Sequence, residues 1–130
     1  MNYNYSGNDR RRYQRLRLNL SVNYRVDGPW QVRVKFGDQE IEATTLNLSE
    51  GGMAILTSYD IPVVSALLLK FSLFKINKEG QVSFYNPVEI NGQVRSNTTC
   101  ENNQYRLGLC FVRTESEQNC RIGAFVKLAS

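Results

Sequence analysis

The sequence predicts an all-β fold, a small antiparallel β-barrel followed by one short α-helix. Apolar residues alternate with polar ones through most of the chain, as they do in strands that bury one face. Glycine, asparagine, aspartate and proline separate the alternating segments at short intervals. The chain has 130 residues, which is the size of one domain with one modest core. Together these observations predict a single small barrel.

The first predicted strand covers residues 18–26, where every second residue is apolar. An Asp-Gly-Pro sequence at 27–29 ends it, because these residues favour turns over strands. A second alternating run, formed by Val32, Val34 and Phe36, predicts a second strand.

The remaining alternating segments complete the predicted barrel. The segments at 41–49 and 53–56 are expected to form a hairpin with a polar, glycine-rich turn. Residues 96–104 are predicted as a polar loop, and segment 76–87 is longer than a minimal hairpin turn and has no assigned role. The full set of these predicted strands covers residues 41–49, 53–56, 67–76, 82–85, 88–95 and 105–112.

A change of period near the end of the chain predicts the helix. Thr114 and Glu117 have the spacing of a capping box, in which two side chains satisfy free amides at a helix start. Ile122, Phe125 and Val126 then follow the spacing of one helical face. The predicted organisation is a flexible tail at 1–9 and one domain at 10–130, with a flexible basic arm at 10–17, a barrel at 18–113 and a helix at 115–128.

The composition argues against an enzyme or a metal protein. The chain has no histidine, the commonest general base and metal ligand, and no nucleophile with a plausible base. Cys100, Cys110 and Cys120 are too far apart for a Cys-x-x-Cys motif. They are predicted to be reduced thiols, and Cys110 is predicted to lie in the core. We therefore expect no catalytic residues, no metal site and no cofactor.

The apolar segments are too short and too polar to cross a membrane. Residues 1–9 have no apolar stretch of the kind found in secretory signals. The longest apolar stretch, residues 63–76, is interrupted by serines and lysines. The sequence therefore predicts a soluble, cytoplasmic protein, either a monomer or a weak homodimer.

The net charge of +4 is concentrated near the N-terminus. A block of this kind is typical of an anion-binding arm, although a solvated tail explains the charge equally well. Arginine suits a nucleotide, because its planar guanidinium pairs with phosphate oxygens or with the O6 and N7 atoms of guanine. The block consists of Arg10, Arg11, Arg12, Arg15, Arg17 and Arg25, and Asp9 is the only acidic residue among the first 25.

The predicted hairpin turn carries a second group of polar residues. If Leu48 points into the core, Asn47 and Ser49 both point outward, where they could bind a base and a phosphate. Gly51 and Gly52 would allow positive φ angles and let a flat ligand approach the backbone. Taken alone, these residues are more typical of an ordinary hairpin turn than of a binding site.

The two groups together resemble the PilZ family, the bacterial receptors for cyclic di-GMP. That family carries an R-x-x-x-R motif in an N-terminal arm and a [DN]-x-S-x-x-G motif on a barrel strand and turn. Here Arg11 and Arg15 match the first motif, and Asn47, Ser49 and Gly52 match the second. The resemblance covers roughly residues 10–128, including a last strand Tyr-Arg-Leu-Gly-Leu-Cys-Phe at 105–111.

The resemblance implies a six-stranded barrel that binds cyclic di-GMP on its outside. Arg11 and Arg15 would bind guanine and phosphate, and the Asn47–Gly52 segment would receive the other guanine. Arg10 would add a guanine contact, which in similar proteins accompanies an intercalated ligand dimer. Asn47 departs from the charged aspartate of many members, so its hydrogen bond should be weaker. Ligand binding would order the arm and create a surface for a downstream protein effector that the sequence does not identify.

Two alternatives stay open at this stage. The chain could be an OB-like barrel that binds nucleic acid with its basic arm, although scattered tyrosines form no aromatic ladder. It could also be a degenerate interaction module that has lost ligand binding, although the motif residues are intact. Nucleic acid is not the expected partner.

Overall fold

The computed structural model describes residues 16–112 and 116–129. Its six antiparallel strands close into a barrel in the order β1-β2-β3-β6-β5-β4, and a C-terminal helix follows, so the predicted fold class is confirmed. Of the predicted arm, Leu16 and Arg17 belong to β1, and residues 10–15 lie outside the described part of the chain. The elements are β1 (Leu16–Gly28), α1 (Trp30–Phe36), β2 (Ile41–Leu48), β3 (Gly52–Thr57), β4 (Ala66–Ile76), β5 (Val82–Thr99), β6 (Tyr105–Phe111) and α2 (Ser116–Ala129).

The barrel core is built from the alternate residues that the sequence pattern predicts to point inward. In β4 every second residue from Leu67 to Leu73 is buried, and β1 contributes Val22, Tyr24 and Val26. Three residues of α2 join this core, namely Ile122, Phe125 and Val126. The helix therefore packs on the barrel with the face that its spacing predicts.

The segment predicted as a second strand is instead the short helix α1. Val32 and Phe36 are four residues apart and lie on the core side, whereas Val34 is 58% exposed. The backbone N–H groups of Val32 and Arg33 donate to the Pro29 carbonyl at 2.9 and 3.0 Å. Three alternating apolar residues also satisfy the i, i+4 spacing of a helix. A run this short therefore does not distinguish a strand from a helix.

The predicted strands at 82–85 and 88–95 are one continuous strand, β5, which also includes residues 96–99 of the predicted loop at 96–104. Pro87 lies inside it, opposite Ser72 of β4. Strand β6 begins to pair with β5 only at Gly92, so near Pro87 the strand has a ladder partner on one side. A proline is tolerated there because no second ladder requires its missing N–H.

Segment 76–87 is the outer end of a two-stranded ribbon that continues β4 and β5 past the barrel. Its turn is closed by Asn77, whose Oδ1 accepts from the N–H groups of Glu79 and Gln81 at 3.0 and 2.9 Å. Gly80 occupies the position with φ of 81°, which favours glycine. The ribbon exposes four large apolar side chains, those of Phe74, Ile76, Val82 and Tyr85.

One polar pair lies inside the barrel. The Tyr24 and Thr57 hydroxyl oxygens are 2.8 Å apart, and both side chains are buried. Burial raises the pKa of Tyr24 to about 12, and the hydrogen bond to Thr57 partly opposes this rise. The neutral phenol is therefore favoured in the folded protein.

We expect the protein to lose stability above pH 10 because of Tyr24. The unfolded chain releases the phenol proton near pH 10, whereas the folded protein holds it to about pH 12. The contribution is complete below pH 10 and is lost as the pH rises towards 12, by up to about 2.7 kcal/mol. Urea unfolding of the parent and of Tyr24→Phe at pH 8, 10 and 11 checks this. A parent-minus-variant stability difference that does not change with pH would contradict it.

Candidate functional site

The predicted site residues divide between the described and the undescribed parts of the chain. Arg10, Arg11 and Arg15 lie outside the described residues. Asn47 is near the end of β2, Gly52 begins β3, and Ser49 lies in the turn between them. The barrel thus brings the three residues of the second motif together at one end, where β1 also begins.

Two irregularities in the strand pairing determine where Asn47 points. The register shifts between Arg17 and Leu20 where β1 meets β2, and between Thr45 and Asn47 where β2 meets β3. In β2, Ala43 and Thr45 are buried, so a regular strand would also bury Asn47. The bulge instead turns Leu48 into the core and leaves Asn47 half-buried on the outer side. Such bulges often re-aim a side chain beside a functional site.

Ser49 does not point outward as predicted. Its relative exposure is 5%, and it forms part of the turn that joins β2 to β3. The Ser49 N–H donates to the Gly52 carbonyl at 2.9 Å, and Ser49 Oγ donates to the same oxygen at 3.3 Å. The serine therefore holds the turn in shape, which places it behind the surface that Asn47 faces.

The glycines of the turn are needed for close packing and not for positive φ. Of the described glycines, Gly37 and Gly80 adopt positive φ, so the expectation for Gly51 and Gly52 is wrong. The Gly51 carbonyl accepts from the Phe111 N–H at 2.9 Å. A Cβ on Gly52 would overlap the backbone carbonyl oxygen of Leu109. Strand β6 thus passes so close to the turn that only glycine fits at position 52.

The strand pairing aligns five residues across the outside of the barrel. We call this set the outer row. Neighbouring strands are about 4.8 Å apart, and the row follows the curve of the closed barrel over four such steps. Its middle positions, Ala54 and Gly108, are the smallest residues of the row, and Ala54 is buried. The row consists of Arg17, Asn47, Ala54, Gly108 and Ser96, in that order across β1, β2, β3, β6 and β5.

The outer row contains residues that the sequence alone did not identify. Neither Arg17 nor Gly108 belongs to one of the two motifs. Only the cross-strand register places them beside Asn47. A glycine at an outward strand position was the one local signal, because glycine in a strand often marks a close approach of other atoms.

Cys110 is exposed, so its prediction as a core residue is wrong. The inward positions of β6 are Leu107, Leu109 and Phe111, and Cys110 lies on the opposite face. Its register partner in β3 is Gly52. The thiol therefore lies on the outside of the barrel, next to the candidate site.

The turn also contacts the C-terminal helix. A Cβ on Gly123 would overlap the Glu50 carboxylate and would lie 3.0 Å from Glu50 Cδ. Gly123 is buried, and its neighbour Ile122 belongs to the core. The turn that carries Ser49 and Gly52 is thus packed between β6 on one side and α2 on the other.

The arginine block separates in the fold. Arg25 lies at the far end of β1, where its Nε is 3.1 Å from Asp27 Oδ1, and this hydrogen bond raises the pKa of Arg25. Arg17 lies at the near end and is exposed. Of the two described arginines of the block, Arg17 therefore lies at the end of β1 that pairs with Asn47, and Arg25 lies at the opposite end.

The two clefts described on the barrel do not include the residues of the second motif. Two clefts on the barrel have volumes of about 670 and 420 Å³, and none of Asn47, Ser49 and Gly52 lines either of them. Among residues 16–112 and 116–129, no cluster of histidine, cysteine or acidic side chains could hold a metal ion. No helix in the same ranges is long and apolar enough to cross a membrane.

A family model described as PilZ domain matches residues 9–128. No curated protein sequence matches the chain. The match covers the barrel, the C-terminal helix and the arginine motif, and it agrees with the resemblance found in the two sequence motifs.

Solved structures share this fold at low sequence identity. The Bacillus subtilis inhibitor of motility (MotI/DgrA) has a TM-score of 0.66 and 17% identity, covering 93% of this chain and 52% of that one. The K. pneumonia MrkH–c-di-GMP complex has a TM-score of 0.61 and 15% identity, with coverage of 93% and 52%. The PilZ domain with c-di-GMP of YcgR from Escherichia coli has a TM-score of 0.54 and 15% identity, covering 93% and 95%. The chain thus spans about half the length of the first two.

Proposed function

This chain belongs to the PilZ domain family, and from that membership we propose that it is a receptor for cyclic di-GMP and not an enzyme. The observation that carries the proposal is the second family motif on the outside of the barrel. There a bulge turns Asn47 away from the core, and the glycine-rich turn follows it. Two of the solved structures that share the fold, the PilZ domain of YcgR and MrkH, contain c-di-GMP.

Each part of the ligand has a matching group in the proposed site. Asn47 accepts a hydrogen bond from a guanine amino group or donates one to a base acceptor. Arg11 and Arg15 clamp the other guanine and the phosphates, because the guanidinium fork fits both. Ser49 contributes by holding the turn, through its two hydrogen bonds to Gly52.

In the proposed signal, the ligand docks the arginine arm on the barrel. The two phosphates neutralise the clustered guanidinium groups, which otherwise repel one another. The turn that receives the ligand also contacts α2, through Glu50 and Gly123. Docking therefore changes a surface made of arm, turn and helix, which a downstream protein can bind.

Calorimetric titration of the parent protein with cyclic di-GMP tests the proposal. We expect saturable heat, with no comparable binding of GMP or of a single-stranded oligonucleotide. The same titration distinguishes one ligand per chain from the two expected if Arg10 supports an intercalated dimer.

A repeat of the titration at increasing salt separates this receptor from a nucleic-acid-binding barrel. Oligonucleotide binding through phosphates weakens steeply with salt, whereas a site that reads guanine keeps its preference for cyclic di-GMP. Absence of heat with cyclic di-GMP would rule out the proposed function. Equal affinity for the oligonucleotide would favour the nucleic-acid barrel.

A further inference from the structure

Arg17 lies in β1, and the strand ladder holds its backbone in place. Its register partner across the β1–β2 ladder is Asn47, so both side chains leave the sheet on the same side. Arg17 is exposed, and among the described residues it has no ion pair. It therefore presents a permanent positive charge at one end of the outer row.

The distances allow Arg17 to share a ligand with Asn47. Directly opposite residues of an antiparallel pair have Cβ atoms about 5 Å apart. An extended arginine side chain is longer than the distance between neighbouring strands, which is about 4.8 Å. Its guanidinium can thus lie beside the Asn47 amide.

We propose that Arg17 is an additional phosphate-binding residue of the ligand site. This inference rests on the proposed cyclic di-GMP receptor function. The guanidinium of Arg17 binds a phosphodiester of the ligand whose guanine is held by Asn47. A phosphodiester fits this guanidinium for two reasons. It carries a negative charge, and its two free oxygens can accept hydrogen bonds from two N–H groups of the arginine.

The role differs from that of the arm arginines. An arm that docks with the ligand loses conformational freedom, and this loss reduces the net affinity that its contacts provide. The backbone of Arg17 loses no conformational freedom when the ligand binds, because the pairing of β1 with β2 already holds it in place. The barrel therefore offers Arg17 and Asn47 as a fixed pair before the ligand arrives.

The test compares Arg17→Ala with a control that changes the net charge equally. Arg33→Ala is that control, because Arg33 is exposed in α1, pairs with Asp38 at 2.9 Å and lies beyond the far end of β1. Association and dissociation rates with cyclic di-GMP are measured for both variants and for the parent. We expect Arg17→Ala to raise Kd by about 10- to 100-fold, mainly through faster dissociation. Arg33→Ala should stay within about twofold of the parent.

A third variant, Arg17→Lys, keeps the charge without the planar fork and should bind with intermediate affinity. It also covers the case in which Arg17→Ala fails to fold, since a lysine is tolerated at an exposed strand position. Parent-like affinity of either Arg17 variant overturns the inference, and so does a loss that lies only in the association rate and disappears at high salt. If the parent itself does not bind cyclic di-GMP, both the proposed function and this inference fail. If the parent binds and the Arg17 variants bind equally well, only this inference fails.

Discussion

Replacement of Gly52 by alanine is expected to destabilise the protein by about 3 kcal/mol, the upper part of the range for overpacking a filled site. The added methyl group would overlap the Leu109 carbonyl oxygen, lie 3.2 Å from that carbonyl carbon and lie 3.4 Å from Cys110 Cα. All three are backbone atoms of β6, so relief requires the two strands to move apart.

Neither strand is free to make this movement. Gly52 and Cys110 are register partners in the β3–β6 ladder, and the Phe111 N–H donates to the Gly51 carbonyl at 2.9 Å. On the inner side, Met53 and Leu109 are both buried in the core. A shift of the turn would therefore disturb hydrogen bonds and packing together, and it would also move Asn47 and Ser49.

Gly108→Ala is the matched control for this prediction. Its Cβ would meet the Ser96 Oγ, a hydroxyl group that can rotate away, and would lie 3.7 Å from Ser96 Cβ. We expect Gly108→Ala to cost less than about 1 kcal/mol. Urea unfolding of the parent and both variants measures the difference. Equal stability losses would show that the close approach at Gly52 is not the reason for its glycine.

Replacement of Arg15 by alanine is expected to weaken cyclic di-GMP binding by about 100-fold, a loss of about 2.7 kcal/mol. Hydrogen bonds to charged groups contribute about 1.5–3 kcal/mol each, and a bidentate contact to phosphate or guanine lies at the upper end. Arg15 directly precedes Leu16, the first residue of β1. Arg11→Ala should have a similar effect, because both residues belong to the same motif.

Arg12→Ala provides the control for the arm. It removes the same charge from the same cluster but lies outside the motif, so the affinity should change by less than about threefold. Calorimetry gives the affinities, and thermal unfolding checks that the variants remain folded. If Arg12→Ala weakened binding as much as Arg15→Ala, the arm would act as a diffuse positive charge. If all three variants bound as the parent does, the proposed clamp would be wrong.

Much of the architecture follows from local pattern alone. Alternation at residues 18–26 identifies β1, and the run of buried leucines in β4 is equally regular. The capping residues and helical spacing near the C-terminus identify α2, and its apolar face packs as predicted. Local pattern failed where a run was short, as at α1, or interrupted by proline, as in β5. At α1 the three-residue pattern fits a helix as well as a strand, and in β5 the pairing with β4 continues past the proline.

In the candidate site, too, some features follow from the sequence and others only from the tertiary structure. By itself the sequence determined that Asn47, Ser49 and Gly52 stand at the motif spacing in a turn, and that arginines cluster before β1. Only the tertiary structure decided that Asn47 faces outward, that Ser49 is buried and that Arg17 lies beside them. The physical reason is that periodicity is a property of neighbouring residues, whereas a bulge and a cross-strand register arise from pairing with segments far away in the chain. A shift of one residue in that pairing reverses the side chains of a strand, and the site depends on such a shift.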